Sequence, residues 1–344
     1  MNNKIISLEL LRFISSLLVV IWHYQNFFFP YNTISSFDIF NNNNEFIKLF
    51  LNSKLGTHGV YIFFCISGIV FSLTYLKKKT SSKDFIIKRF ARLYPLHFLT
   101  LIVVALIQLI NQNYIGEYQI YFTNDLKHFF LNIFFISGWG FEDNFSFNGP
   151  IWSVSVELIV YFVFFILIST LSKSHYLLTI NIIILLFLIR DFYFDNELFS
   201  ALGLFFCGVL LFKLYSENRN LTLLVLSILL FTLNFLGNYK IILTCVGVCS
   251  FFLSINRFIS NDYLNKTFSI LGNLTYASYL LHIPIQLIFI FLFYKFNISQ
   301  NLFSKFYFFT FFVFFVYAIS YYIFKCYEKP ASFFLKNKFE IDFK

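Results

Sequence analysis

The chain has 344 residues, 58% of them hydrophobic and only 12% charged, with a mean hydropathy of +0.72. Soluble domains carry about 25% charged residues, so a soluble fold is excluded and a polytopic membrane protein is expected. The net charge of +9 does not imply nucleic acid, because the basic residues cluster in short loops between apolar stretches, where they set orientation.

Ten spans are predicted, near 7–29, 57–76, 91–111, 152–171, 176–190, 199–214, 221–236, 239–255, 270–294 and 304–325. Each reaches or approaches the roughly 20 residues that cross a bilayer. The fold class is therefore all-α: one transmembrane unit over residues 1–330, followed by a short basic cytoplasmic tail at 331–344. The stretch 127–138 is apolar but short, and it reads as an interfacial or re-entrant helix. The 77–92 loop alone carries Lys77, Lys78, Lys79, Lys83, Lys88, Arg89 and Arg92. Placing it inside puts 18 basic residues on the inner side and seven on the outer side, with both termini cytoplasmic. The outer side then receives a loop with the Asn41–Asn44 run and a segment at 112–150 with Glu117, Asp125, Glu142 and Asp143. The first apolar segment lacks a small-residue cleavage site, so no cleavable signal peptide is expected.

In the first span, Arg12 precedes His23 by eleven residues. That is about three helical turns, so both lie on one stripe, roughly 16 Å apart along the axis. Ionisable groups inside a lipid-spanning segment are costly and mark function. An imidazole suits a general base near neutral pH, which an alcohol nucleophile requires. The alternative for His23 is a hydrogen-bonded histidine of the bundle interior, and for Arg12 an ion pair with Glu9 three residues earlier. Ser67-Gly68 in the second span permits close helix approach or lines a channel. Arg89 and Arg92, with Lys88 beside them, lead into the third span; paired arginines bind phosphate through bidentate forks, or they only set topology.

The fourth span opens with Trp152, Ser153, Ser155 and Glu157. Glu157 has three readings: it orients an imidazole, binds a sugar, or makes a structural hydrogen bond. Trp152 is an interfacial anchor or a surface for a sugar to stack on. Ser153 follows Pro150 as a helix cap. In the ninth span, His282 stands two residues before Pro284 and shares a face with Tyr276 and Tyr279. The proline frees a backbone carbonyl that His282 or a water would satisfy. His97, His128 and His175 receive no role, and His58 is weighed only as a residue facing an acceptor. The five cysteines all lie in or at the ends of apolar stretches, so no disulfide framework is implied. No metal is required, and no internal repeat is visible.

Five motifs in order resemble the integral-membrane acyltransferase 3 family: the stripe from Arg12 to His23, Gly59 through Ser67-Gly68, Arg89-x-x-Arg92 with Pro95, Trp152 through Glu157, and Gly272 through His282-Ile-Pro284. The resemblance spans nearly the whole chain. It implies an O-acyltransferase of a bacterial cytoplasmic membrane. Acyl-CoA, most simply acetyl-CoA, would be the co-substrate, delivered from the cytoplasm with no tightly bound cofactor. The acceptor would be a hydroxyl of a surface polysaccharide or lipid-linked oligosaccharide. On this reading His23 and Glu157 are catalytic and Arg12, Arg89 and Arg92 bind the donor. Trp152, Ser67 and His282 line the acceptor site or channel. Some family members add a periplasmic hydrolase-like domain, so a separate periplasmic partner stays open. Two rival readings stand beside it: a flippase for lipid-linked sugars, whose expected internal symmetry is not visible, and a membrane glycan polymerase.

Overall fold

A computed structural model describes residues 5–28, 54–76, 81–173, 176–192, 197–234, 240–259 and 262–341. The Asn41–Asn44 run, Lys77, Lys78, Lys79 and His175 lie outside these. The described residues contain helices and no strand. In chain order the helices are α1 (Ile6–His23), α2 (Leu55–Tyr75), α3 (Ser82–Ile115), α4 (Leu126–Ile133), α5 (Ile151–Lys173), α6 (Tyr176–Phe192), α7 (Glu197–Ser216), α8 (Asn220–Asn234), α9 (Lys240–Ile255), α10 (Asp262–Asn273), α11 (Thr275–Lys295), α12 (Phe306–Ile323) and α13 (Lys329–Ile341).

All ten expected spans correspond to helices. Among the described residues, eight are long and apolar enough to cross a membrane. The other two are α6, with 17 residues, and α8, with 15. Both border residues outside the described ones, at 174–175 and 193–196 for α6 and at 235–239 for α8. The expected ninth span is two helices, because the chain breaks at Leu274 between α10 and α11. The short apolar stretch at 127–138 yields α4, whose eight residues cover about 12 Å and cannot span. After α12 the chain passes through a π-type turn at Phe324–Glu328 into α13, so residues 329–341 are helical.

The chain divides into two compact units, residues 1–17, 57–82 and 156–275 forming the first, and residues 18–56, 83–155 and 276–344 the second. In the first, Phe71 stacks on Tyr161 with ring centroids 4.0 Å apart and meets Phe164 and Phe205 edge-on. Helices α2 and α7 touch backbone to backbone. A Cβ at Gly68 would collide with the Phe205 carbonyl, and one at Gly208 with the Cys65 carbonyl. The glycine of the Ser67-Gly68 pair is thus a packing residue, and its partner is a second glycine. The five cysteines are free.

In the second unit, Leu101, Val104 and Ile107 of α3 pack with Ile120, Phe147 and with Ile283 and Leu287 of α11. Ile283 and Leu287 are four apart and share one helix face. His282 and Gln286, also four apart, share the adjacent one. A second cluster is aromatic: Tyr24, Phe27, Phe303, Phe308 and Phe312 meet at centroid distances of 4.4–6.0 Å.

Candidate active site

In the second unit, α1 ends at His23, and the last carbonyls of a helix have no partner within it. The His23 carbonyl accepts a hydrogen bond from Gln286 Nε2 at 2.8 Å. The Asn26 amide reaches back to Gln286 Oε1 at 3.5 Å. The next residue, Tyr24, is fully buried and donates its hydroxyl to the Phe303 carbonyl at 2.7 Å. The backbone that carries His23 is therefore held from α11 on one side and by the 300–304 turn on the other.

The imidazole of His23 is half-buried. Its Nδ1 lies 2.9 Å from the Val19 carbonyl one turn earlier. A carbonyl can only accept, so the proton sits on Nδ1 and Nε2 keeps a lone pair. The buried-histidine reading is satisfied through Nδ1, and Nε2 remains as the basic atom. The ring packs edge-on against Trp22 at 4.8 Å and against the His282 ring at 4.8 Å.

His282 is fully buried, and its Nδ1 lies 3.1 Å from the Ser278 carbonyl, again one turn back. It therefore does not satisfy the carbonyl that Pro284 frees. Proline has no N–H, so the orphan belongs to Leu280, four residues before it. Asn148 Nδ2 donates to the Leu280 carbonyl at 2.9 Å. The expectation that His282 would fill this position is corrected: the donor is an amide from the loop ahead of α5. Asn148 is buried, and its Nδ2 also approaches Thr100 Oγ1 at 3.4 Å.

Helix α5 starts after Pro150, and Trp152 is half-buried in its first turn. Ser153 Oγ lies 3.2 Å from the Pro150 carbonyl, in keeping with a role at the helix start. It also lies 2.6 Å from the Tyr279 hydroxyl, which itself lies 2.9 Å from that carbonyl. Tyr279 thus ties the start of α5 to the turn of α11 just before His282. On α3, Arg89 is half-buried and Arg92 exposed. The turn between them and Pro95 is tethered by two tyrosines, Tyr276 donating to the Leu93 carbonyl at 2.6 Å and Tyr327 to the Pro95 carbonyl at 3.2 Å.

Two histidines without an assigned role are hydrogen-bonded within the second unit. His97 is buried, with Nε2 2.8 Å from the Asn132 carbonyl at the end of α4. His128 is buried in the first turn of α4, where Asp125 caps the helix. The Asp125 carboxylate accepts from the His128 backbone N–H at 2.9 Å and lies 2.8 Å from its Nδ1. These bonds, the backbone one first, hold Asp125 below the usual carboxylate range.

In the first unit, Arg12 makes the ion pair expected from spacing, Nη1 to Glu9 Oε2 at 3.4 Å. Its Nη2 donates to Thr275 Oγ1 at 3.3 Å, and Thr275 donates to the Gly272 carbonyl at 2.9 Å. Gly272 is small for a reason: a Cβ there would collide with the Glu9 carboxylate. Ser67 Oγ donates to Glu157 Oε1 at 2.5 Å, so these two candidates from different helices meet. Glu157 therefore has a structural hydrogen bond, one of its three readings, and is half-buried. Among the described residues, no group of three or more His, Cys, Asp or Glu side chains is arranged to hold a metal ion.

The structure thus brings together His23 with His282, and separately Arg12 with Glu9 and Ser67 with Glu157. Sequence reasoning missed Gln286 and Asn148. Gln286 was detectable in principle, as a lone amide inside an apolar span one turn from His282. Asn148 lies in a polar loop, where nothing distinguishes it.

Residues 5–325 match the model of a protein family described as an acyltransferase domain. No curated protein and no solved structure matches the chain.

Proposed function

The chain belongs to the acyltransferase 3 family and is a multi-pass membrane acyltransferase, and on that premise we propose that it transfers an acetyl group from cytoplasmic acetyl-CoA to a hydroxyl of a surface polysaccharide or lipid-linked glycan. The bacterial cytoplasmic membrane is the proposed setting. The observation that carries the reading is the Nδ1 contact of His23 with the Val19 carbonyl, which leaves Nε2 as a lone-pair base on a ring whose backbone is pinned.

In the proposed step, Nε2 takes the proton of the acceptor hydroxyl while its oxygen attacks the thioester carbonyl carbon. A C–O bond forms and the C–S bond breaks. The coenzyme leaves as thiolate and takes the proton back from His23, so the products are an ester and a free thiol and the imidazole is regenerated. Transfer through an acyl-histidine is a less economical variant, because it needs two acyl transfers in place of one.

Arg12, Arg89 and Arg92 are assigned to the donor. Their guanidiniums match the phosphates of the coenzyme, and the tyrosine tethers on α3 support a fixed geometry for Arg89 and Arg92. The Val19 carbonyl already meets His23 Nδ1. Glu157, held by Ser67, is therefore assigned to the acceptor hydroxyls, with Trp152 as a stacking surface.

The test is chemical. Membranes containing the protein, given labelled acetyl-CoA, should acetylate the host's surface glycan after its native esters have been removed with mild alkali. His23→Ala should abolish that transfer. Arg89→Ala with Arg92→Ala should raise KM for acetyl-CoA more than KM for glycan. Full acetylation by His23→Ala would remove the base assignment. A protein that moves lipid-linked sugar and forms no ester would be a transporter.

A further inference from the structure

His282 has a nitrogen for which the fold supplies no partner. Its Nδ1–H is directed to the Ser278 carbonyl, so Nε2 holds a lone pair and can only accept. That Nε2 is buried and has no hydrogen-bond partner among the described residues, and the whole residue is 0% exposed. A buried acceptor without a donor is destabilising, and most so in an apolar span where water is scarce. A leucine would fill the same space without that cost.

The unmet atom is on the ring that packs against His23, with centroids 4.8 Å apart. Both imidazoles use Nδ1 in the same way, on the carbonyl one turn back in their own helix. Neither neutral ring can therefore donate to the other through Nε2. The buried lone pair on His282 Nε2 calls for a group that brings its own hydrogen. Two imidazoles fall short of a metal site, and among the described residues no third ligating side chain joins them.

We propose that His282 is a substrate-binding residue, whose Nε2 accepts a hydrogen bond from an O–H or N–H group of the substrate complex next to the reacting hydroxyl. This rests on the reading of His23 as the base. Two sources share that chemistry: a second hydroxyl on a polyol acceptor, and the amide N–H nearest the sulfur in the coenzyme arm.

Two variants and one spectroscopic measurement test it. His282→Phe keeps a flat ring and removes the lone pair; His282→Gln returns an acceptor oxygen. With acetyl-CoA and alkali-treated host glycan, His282→Phe should raise one KM about tenfold, the loss expected for one hydrogen bond. The affected KM is that of the glycan if a hydroxyl is bound and that of acetyl-CoA if the amide is. His282→Gln should recover part of the loss. Unchanged constants in His282→Phe would overturn the proposal.

The second readout needs no catalysis. In protein carrying 15N-labelled histidine in lipid bilayers, solid-state NMR should resolve an unprotonated Nε2 signal that is absent from His282→Gln. Acetyl-CoA or glycan should move it. If neither does, His282 is a structural residue. A moved signal without acetyl transfer would count against the acyl-transfer reading and leave this binding site standing. Transfer without a moved signal would do the reverse.

Discussion

Asn148 stands in for an N–H that Pro284 lacks, and this can be measured as a coupling. In Asn148→Ala the Leu280 carbonyl loses its donor at 2.9 Å while remaining in a buried part of α11. Leaving one buried polar group unmet costs about 1–3 kcal/mol. Part of this is offset, because Asn148 Oδ1 is itself buried without a partner and its removal takes away a second unmet acceptor. A net loss of about 1–2 kcal/mol is expected. Pro284→Ala restores a backbone N–H that can bond to the Leu280 carbonyl. In that background the carbonyl no longer depends on Asn148, and Asn148→Ala should cost at least ~1 kcal/mol less than it does alone. The assay is a double-mutant cycle in lipid nanodiscs, following thermal unfolding by tryptophan fluorescence. The single Asn148→Ala variant should shift Tm by a few degrees, on the order of 2 °C per kcal/mol for a chain of this size. Additivity within ~0.5 kcal/mol would refute the reasoning and return Asn148 to the status of a loop residue.

Gln286→Met removes the donor that holds the His23 carbonyl and keeps the volume close; kcat should fall by about tenfold or more with KM for acetyl-CoA nearly unchanged, because a base displaced by a fraction of an ångström loses its line on the hydroxyl. Equal changes in both constants would contradict that positioning role. Gly68→Ala drives a methyl into the Phe205 carbonyl, and two backbones cannot give way as side chains do; a loss at or above the usual 1–3 kcal/mol of overpacking is expected in the same unfolding assay. Gly272→Ala should displace the Glu9 carboxylate and loosen Arg12, raising KM for acetyl-CoA several-fold while the protein remains inserted. The pH prediction concerns Asp125. Its carboxyl is held below the ordinary range in the folded protein, so its contribution is present above the unfolded value and lost as pH falls through the folded one. Amide-exchange protection over residues 126–133 should decline below about pH 4, and in Asp125→Ala it should be low at every pH.

Apolar run length and basic loops carried the class of this protein: a chain so poor in charge can only place its helices in lipid. Local spacing also carried the Glu9–Arg12 pair, since residues three apart on a helix are neighbours wherever the helix goes. Relations between distant segments were not legible. That Ser67 reaches Glu157, that Gly68 faces Gly208, and that the Pro284 vacancy is filled from residue 148 all depend on which helices pack together. The strength of an apolar pattern does not encode this. Span count shows the same boundary: the ninth apolar run reads as one span, yet the chain breaks at Leu274 into α10 and α11. What tertiary packing decided was the chemistry of the histidines. Both read as lone intramembrane imidazoles in the sequence; only the fold sets their rings side by side and ties down one nitrogen of each. The other nitrogens are left as lone pairs, because a neutral imidazole that donates through Nδ1 carries no proton on Nε2.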